Sequence, residues 1–248
     1  MANKKEHKKG GMSRRDYLKT SVAGSIGMMA VPTIVPASVF GKNAPSNRIQ
    51  IGQIGFGRIA KSHDLPDTMR FDTAQVMAVC DVDSKRKEDG KEWVEQWYAK
   101  KKDKSNYMDV KMYEDYREML SNPEIDAVMI STPDHWHAQP ATEAALAGKH
   151  IYLQKPTSLT IDEGRIMSDI VHRMGVVFQI GSQQRSQNPW PQFKRACELV
   201  RNGRIGEIKN VKIGLPGDPS GDEEVEMPIP KTLNYDMWLG STPNVFYT

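Results

Sequence analysis

Only two cysteines occur in the 248 residues, Cys80 and Cys197. Neither stands in a metal-ligand spacing, which excludes a zinc cluster and a disulfide framework; no metal ligands are expected. Both read as small buried hydrophobes, Cys80 in a strand-like run and Cys197 in a helix-like one. Internal repeats and low-complexity tracts are also missing, so no solenoid or repeat array is implied. The apolar stretch 21–40 is broken by Pro32 and Pro36, short of the roughly 20 unbroken apolar residues of a membrane helix. Nor is there a basic excess in the body of the chain. Residues 1–41 hold seven of the 34 lysines and arginines and two of the 31 acids, leaving 27 basic against 29 acidic residues beyond them. The net charge of +3 therefore belongs to the leader and gives no reason to expect nucleic acid as a partner. The run "AKKKDKS" at 99–105 reads as a solvated helix end.

The leader combines a basic region, a modest apolar region and small residues, the composition of a signal peptide. Within it "SRRDYLK" (13–19) resembles the twin-arginine export signal, with Asp16 in the free position and Tyr17 in the aromatic slot. The expectation is a signal peptide over 1–41, cut near 37–41 without a clear A-x-A site. That implies the twin-arginine export machinery as a partner and a periplasmic or envelope protein exported folded.

The texture changes at Asn47. "RIQIGQIGFGRIAKSH" (48–63) reads as a strand, a glycine turn and a helix, with Gly55-Phe56-Gly57-Arg58-Ile59-Ala60 as a G-x-G-x-x-A fingerprint. Gly55 permits the tight turn, Gly57 lets the backbone approach a pyrophosphate, and Ala60 lets helix and strand pack closely. A second apolar strand, "AQVMAVCDVD" (74–83), ends in Asp81, 26 positions after Gly55. An acid near this offset accepts ribose hydroxyls and repels a 2′-phosphate, which favours NAD; Lys85 and Arg86 nearby leave NADP open. The alternative is that Asp81 simply forms a turn.

Helices are expected over 84–102, 113–120, 135–148 and 160–175, and strands over 126–132, 150–156 and 176–181. Alternation of this kind implies a doubly wound parallel sheet whose carboxyl edge binds ligands. Three strand ends carry polar clusters there: "STPDHWH" (131–137), "QKP" (154–156) and "GSQQRS" (181–186). His63 and His172 fall in helix-like contexts and read as surface residues.

From about 48 to 240 the chain resembles the Gfo/Idh/MocA oxidoreductases, the glucose–fructose oxidoreductase and inositol dehydrogenase group. The resemblance rests on the glycine fingerprint, the acid at 81, "TPDHWH" in the family's T-P-x-x-x-H slot and "QKP" in its E-K-P slot. It implies cofactor contacts from Gly55, Phe56, Gly57, Arg58, Ile59, Asp81, Thr132, Pro133, His137 and Gln154, with His137 lining the nicotinamide pocket. Lys155 is the expected catalytic residue. Its ammonium can stabilise an alkoxide as hydride leaves, and burial can lower its pKa for proton transfer. Pro156, with a cis bond before it, would aim that lysine. Gln154 replaces the family's glutamate and cannot ion-pair with Lys155. His135, Trp136, Gln183 and Arg185 are the expected substrate contacts. For Trp136 the alternative is plain core packing, and for Arg185 a tie that holds down a loop.

The fold class expected is thus α/β: a Rossmann domain over 47–182, then the start of an α+β open-sheet domain over 183–248. Residues from 190 onward read as a helix and a strand pattern, followed by an acidic, proline-rich loop and "LNYDMWLG" (233–240). The family's remaining strands and its late histidine or aspartate base have no counterpart. An incomplete second domain is therefore expected, with poor stability or activity in this chain alone and homo-oligomers only at full length. The leading functional expectation is an NAD(P)-dependent oxidoreductase acting on a sugar, polyol or glycoside hydroxyl. One alternative is an NAD-dependent glycoside hydrolase working by transient oxidation and elimination; the other is a non-catalytic nucleotide-binding remnant. Export in the folded state suits an enzyme that collects NAD in the cytoplasm, holds it tightly and restores it in each cycle.

Overall fold

The computed structural model describes residues 47–102, 109–185, 191–215, 217, 221 and 224–248. The leader, with its twin-arginine motif, lies outside them. Six strands make one sheet: β1 (Ile49–Ile54), β2 (Ala74–Cys80), β3 (Lys111–Tyr113), β4 (Ala127–Ile130), β5 (His150–Leu153) and β6 (Phe178–Ile180). Their spatial order is β3-β2-β1-β4-β5-β6 and every pairing is parallel. The order reverses between β1 and β4, the place where doubly wound sheets open a crevice for a ligand.

The connecting helices are α1 (58–69), α2 (Ser84–Lys102), α3 (Tyr116–Leu120), α4 (Ala138–Leu146) and α5 (Ile161–Met174). α1 contains a π-helical stretch, Ala60–Asp64, before its α-helical end Leu65–Met69. α5 opens with a capping box between Thr160 and Glu163 and closes on Gly175, whose φ is 65°. Two apolar layers flank the sheet. Ile130, Leu153, Ala141, Ala144 and Met167 pack on one face, and Val76, Val79, Leu65, Met69 and Val94 on the other. α2 approaches β2 closely because Gly90 has no side chain: a Cβ there would stand 2.8 Å from Val79 Cγ1 and 2.9 Å from the Phe56 ring.

Several expectations need correction. The helix expected over 113–120 divides into the end of β3 and the short α3, capped by the Asp115 side chain. The strand pattern after residue 204 forms no strand among the described residues. α6 (Pro191–Arg201) is followed by extended chain in which Val211, Ile213 and Leu215 are exposed. Strand backbone needs a neighbour to take its hydrogen bonds, and no described segment lies alongside. Cys197, on α6, is exposed, whereas Cys80 is buried as expected.

The chain then returns to the sheet. Residues 230–247, with the short helix α7 (Tyr235–Leu239), dock on the loop after β2. Ser84 N–H donates to Thr232 O (2.8 Å), Asn234 N–H donates to Val82 O (3.0 Å), and Asp83 bridges Leu233.

Candidate functional site

One row of backbone hydrogen bonds runs along the carboxyl edge of the sheet. Gly181 N–H donates to Leu153 O, Gln154 to Ile130 O, Ser131 to Ile54 O, Gly55 to Cys80 O and Asp81 to Tyr113 O. The first residue after each of β1, β2, β4, β5 and β6 is thereby held in line, and the clusters 131–137 and 154–156 and the described part of the third, 181–185, follow this edge.

A cavity of about 560 Å³ lies over the β2, β1 and β4 ends. Gly55, Gly57, Arg58, Ile59, Asp81, Thr132, Pro133 and Trp136 line it. Gly55 has φ 82°, and a Cβ there would meet Ser131 O at 2.9 Å, so only glycine makes this turn without strain. At Gly57 the nearest atom to an added Cβ is Arg86 Nη1 at 3.8 Å, which leaves open backbone facing two cavity arginines, Arg58 and Arg86. Asp81 Oδ2 accepts the Phe56 N–H at 2.7 Å and Oδ1 accepts the Asp83 N–H at 3.0 Å. Burial pushes its carboxyl above the usual range, opposed by those two N–H groups and by Arg86. Each oxygen keeps a lone pair free for a ribose hydroxyl. Bare glycine backbone, a ribose-directed acid and two guanidinium groups fit a dinucleotide, and the volume is in the range of small-molecule sites.

Other predicted residues lie elsewhere. The Phe56 side chain is core, tilted against Trp93, and only its backbone reaches the loop. His137 is 1% exposed and does not line the cavity. Its Nδ1 meets Pro156 O and its Nε2 meets Thr132 O at 2.9 Å. The ring ties the T-P turn to the K-P turn. Gln154 is buried away from the cavity, with its Nε2 donating to Asp64 Oδ1 at 2.7 Å. Lys155 is exposed, not buried, and follows Gln154 at the β5 end with a cis bond to Pro156. Trp136 both lines the cavity and packs: its Nε1 donates to Trp238 O at 2.9 Å and its ring lies edge-on to Tyr116. His135 Nε2 meets the same carbonyl at 2.8 Å. Gln183 and Arg185 form a short 3-10 turn beyond β6, outside the cavity.

Sequence reasoning missed the far wall, built by Pro230, Leu233, Met237, Trp238 and Tyr247. "LNYDMWLG" was visible as a segment, but nothing local says that it folds back across the β2 end.

Residues 49–182 match the model of the Gfo/Idh/MocA family, described as an oxidoreductase family with an NAD-binding Rossmann fold. The chain belongs to this family. Among curated relatives, an uncharacterised oxidoreductase, YrbE, of Bacillus subtilis (strain 168) is 34% identical over 168 residues, 68% of this chain. A glycosyl hydrolase family 109 protein of Shewanella pealeana (strain ATCC 700345 / ANG-SQ1) is 28% identical over 210 residues, 79% of this chain. Among solved structures, scyllo-inositol dehydrogenase from Lactobacillus casei, with bound NAD(H) and scyllo-inositol, superposes with a TM-score of 0.50 at 27% identity and covers 64% of this chain. The chain spans 44% of each of those two relatives and 43% of that structure. Residues 49–182 are thus an NAD-binding Rossmann domain of this family.

Proposed function

We propose that this chain carries the nucleotide site of an exported, NAD-dependent oxidoreductase acting on a secondary hydroxyl of a sugar or polyol. The observation that carries the reading is the cavity that joins Asp81, the glycine turn and Thr132-Pro133 along one sheet edge. Sheet order supports a direction for the dinucleotide. Asp81 at the β2 end takes the adenosine ribose, and the open backbone at Gly57, with Arg58 and Arg86, takes the pyrophosphate. The nicotinamide then reaches the β4 and β5 ends. NAD, when bound, supplies the hydride acceptor. Lys155, exposed at the β5 end, would hold its ammonium against the substrate oxygen, where its charge stabilises the alkoxide that forms as the hydroxyl proton departs to solvent. His137 holds the Lys155-Pro156 turn against the Thr132 turn. Asp81 disfavours a 2′-phosphate, so NAD is preferred to NADP.

The leader supports export in the folded state with nucleotide already bound. Protein purified without added cofactor and then denatured should release near-stoichiometric NAD, read by mass spectrometry. A folded protein that releases none, and binds none when offered it, overturns the reading.

The family 109 match extends past the Rossmann domain to 79% of this chain. It favours a second reading, glycoside cleavage through transient oxidation. Release of free sugar without net change in nicotinamide absorbance would mark it.

A further inference from the structure

Beneath the cavity lies a buried polar chain that the dinucleotide reading does not use. Asp64, at the end of the π-helical stretch of α1, is 6% exposed. Its Oδ2 accepts from Ser131 Oγ at 2.6 Å and its Oδ1 from Gln154 Nε2 at 2.7 Å. Gln53, fully buried in β1, donates through Nε2 to Ser131 Oγ at 3.1 Å. At the other end Gln154 Oε1 accepts the backbone N–H of Lys155 at 3.2 Å. The ends of β1, β4 and β5 and the first helix are thus joined through one carboxylate.

The polarity of the chain follows from Asp64. An ionised carboxylate only accepts, so Ser131 and Gln154 must both donate to it. A glutamine amide has two nearly isosteric ends, and Asp64 selects the NH₂ end. The Gln154 oxygen is left facing the Lys155 N–H. A glutamate in that place would put two carboxylates in contact, and one would have to take a proton. The buried acid on α1 therefore explains the glutamine in "QKP": the negative charge that a glutamate would bring stands on Asp64 instead.

We propose that Asp64 is a positioning residue for the Lys155 turn, acting through Gln154, and that residues 64 and 154 form a matched acid–amide pair. This rests on the dinucleotide reading only in placing the nicotinamide near the β5 end. The pair itself does not depend on it.

The test compares the full chain with D64N, Q154E and D64N/Q154E. In the double variant the acid and the amide change places. The amide now on α1 can accept from Ser131 and donate to the carboxylate now at the β5 end. That carboxylate can still accept the Lys155 N–H, so the chain is restored with its polarity exchanged. Affinities are measured for NAD⁺ and for ADP-ribose, which lacks only the nicotinamide. Each single variant should weaken NAD⁺ about fivefold or more, leave ADP-ribose within about twofold, and be rescued in the double variant. Unchanged NAD⁺ affinity in both single variants overturns the proposal. So does parallel weakening of both nucleotides, which marks a merely structural role, or a double variant without rescue. If the parent binds neither nucleotide, the dinucleotide reading fails instead. The urea midpoints of the same four proteins then decide the pair: a coupled cycle supports it and additive midpoints overturn it.

Discussion

At the scale of single residues, the two best-placed acids share one physical condition. Burial raises the carboxyls of Asp64 and Asp81 above their ordinary value of 3.8; for Asp64, the Ser131 and Gln154 bonds oppose the shift. The sign for stability follows by linkage. Between the unfolded value and the raised folded value, the folded state holds more protons, so stability falls as pH rises through that window. The contribution is fully present below 3.8 and lost above the folded values. Asp64→Asn removes one of the two titrations. The stability of the variant relative to the parent should therefore climb as pH rises from 3.8 and then level off. Urea midpoints of the two proteins across this range test it. A constant difference would mean that Asp64 does not change its protonation on unfolding. Asp115 shifts the other way, held down by its bond to Arg117, but Arg117 is largely exposed and solvent screens the pair.

At the scale of elements, local chemistry made much of the fold legible. Strands β1, β2, β4 and β5 are apolar runs bounded by turn residues, and α2 and α5 carry their own boundaries in Asp83, Thr160 and Gly175. β3 was illegible because three residues, with Lys111 and Met112 exposed, make no pattern. The 211–215 alternation misled because period-2 hydrophobicity forms a strand only beside a partner. In the site, glycines and strand-end acids could be read, since their roles depend on backbone position. Gln154 and His137 could not, because a loop sequence does not say which side chains turn inward. Inward packing also sets the outcome of a change in α2. Gly90→Ala gains about 1 kcal/mol of helix propensity, but its methyl would press on Val79 and Phe56, which are 0% and 6% exposed and cannot move aside. Overpacking of this kind costs about 1–3 kcal/mol. The net effect should be a lowered denaturant midpoint. Weaker NAD binding should accompany it, because Phe56 N–H anchors Asp81.

At the scale of the whole molecule, the cavity has a wall that is distant in sequence from its floor. Residues 230–247 reach it only after α6, a hydrogen-bonded turn over 202–205 and the chain of 207–215, where Lys209 and Lys212 are exposed. The docked segment is held differently, by backbone bonds from Ser84 to Thr232 and from Asn234 to Val82, and by His135 and Trp136 converging on Trp238 O. Proteolysis requires local opening, which is easy where backbone is unpaired and costly where it is docked. Brief trypsin treatment should therefore cut first, among the described residues, at Lys209 and Lys212. The peptide from Ile213 onward should stay with the sheet on size exclusion, and mass spectrometry of the eluted peak reads both facts. If the peptide separates and NAD affinity is unchanged, the far wall contributes nothing to the nucleotide site. If it stays, and Trp238→Ala then weakens NAD binding in the intact chain, the wall is part of the site. In that case the nucleotide is held between residues far apart in the chain, Asp81 on one side and Trp238 on the other.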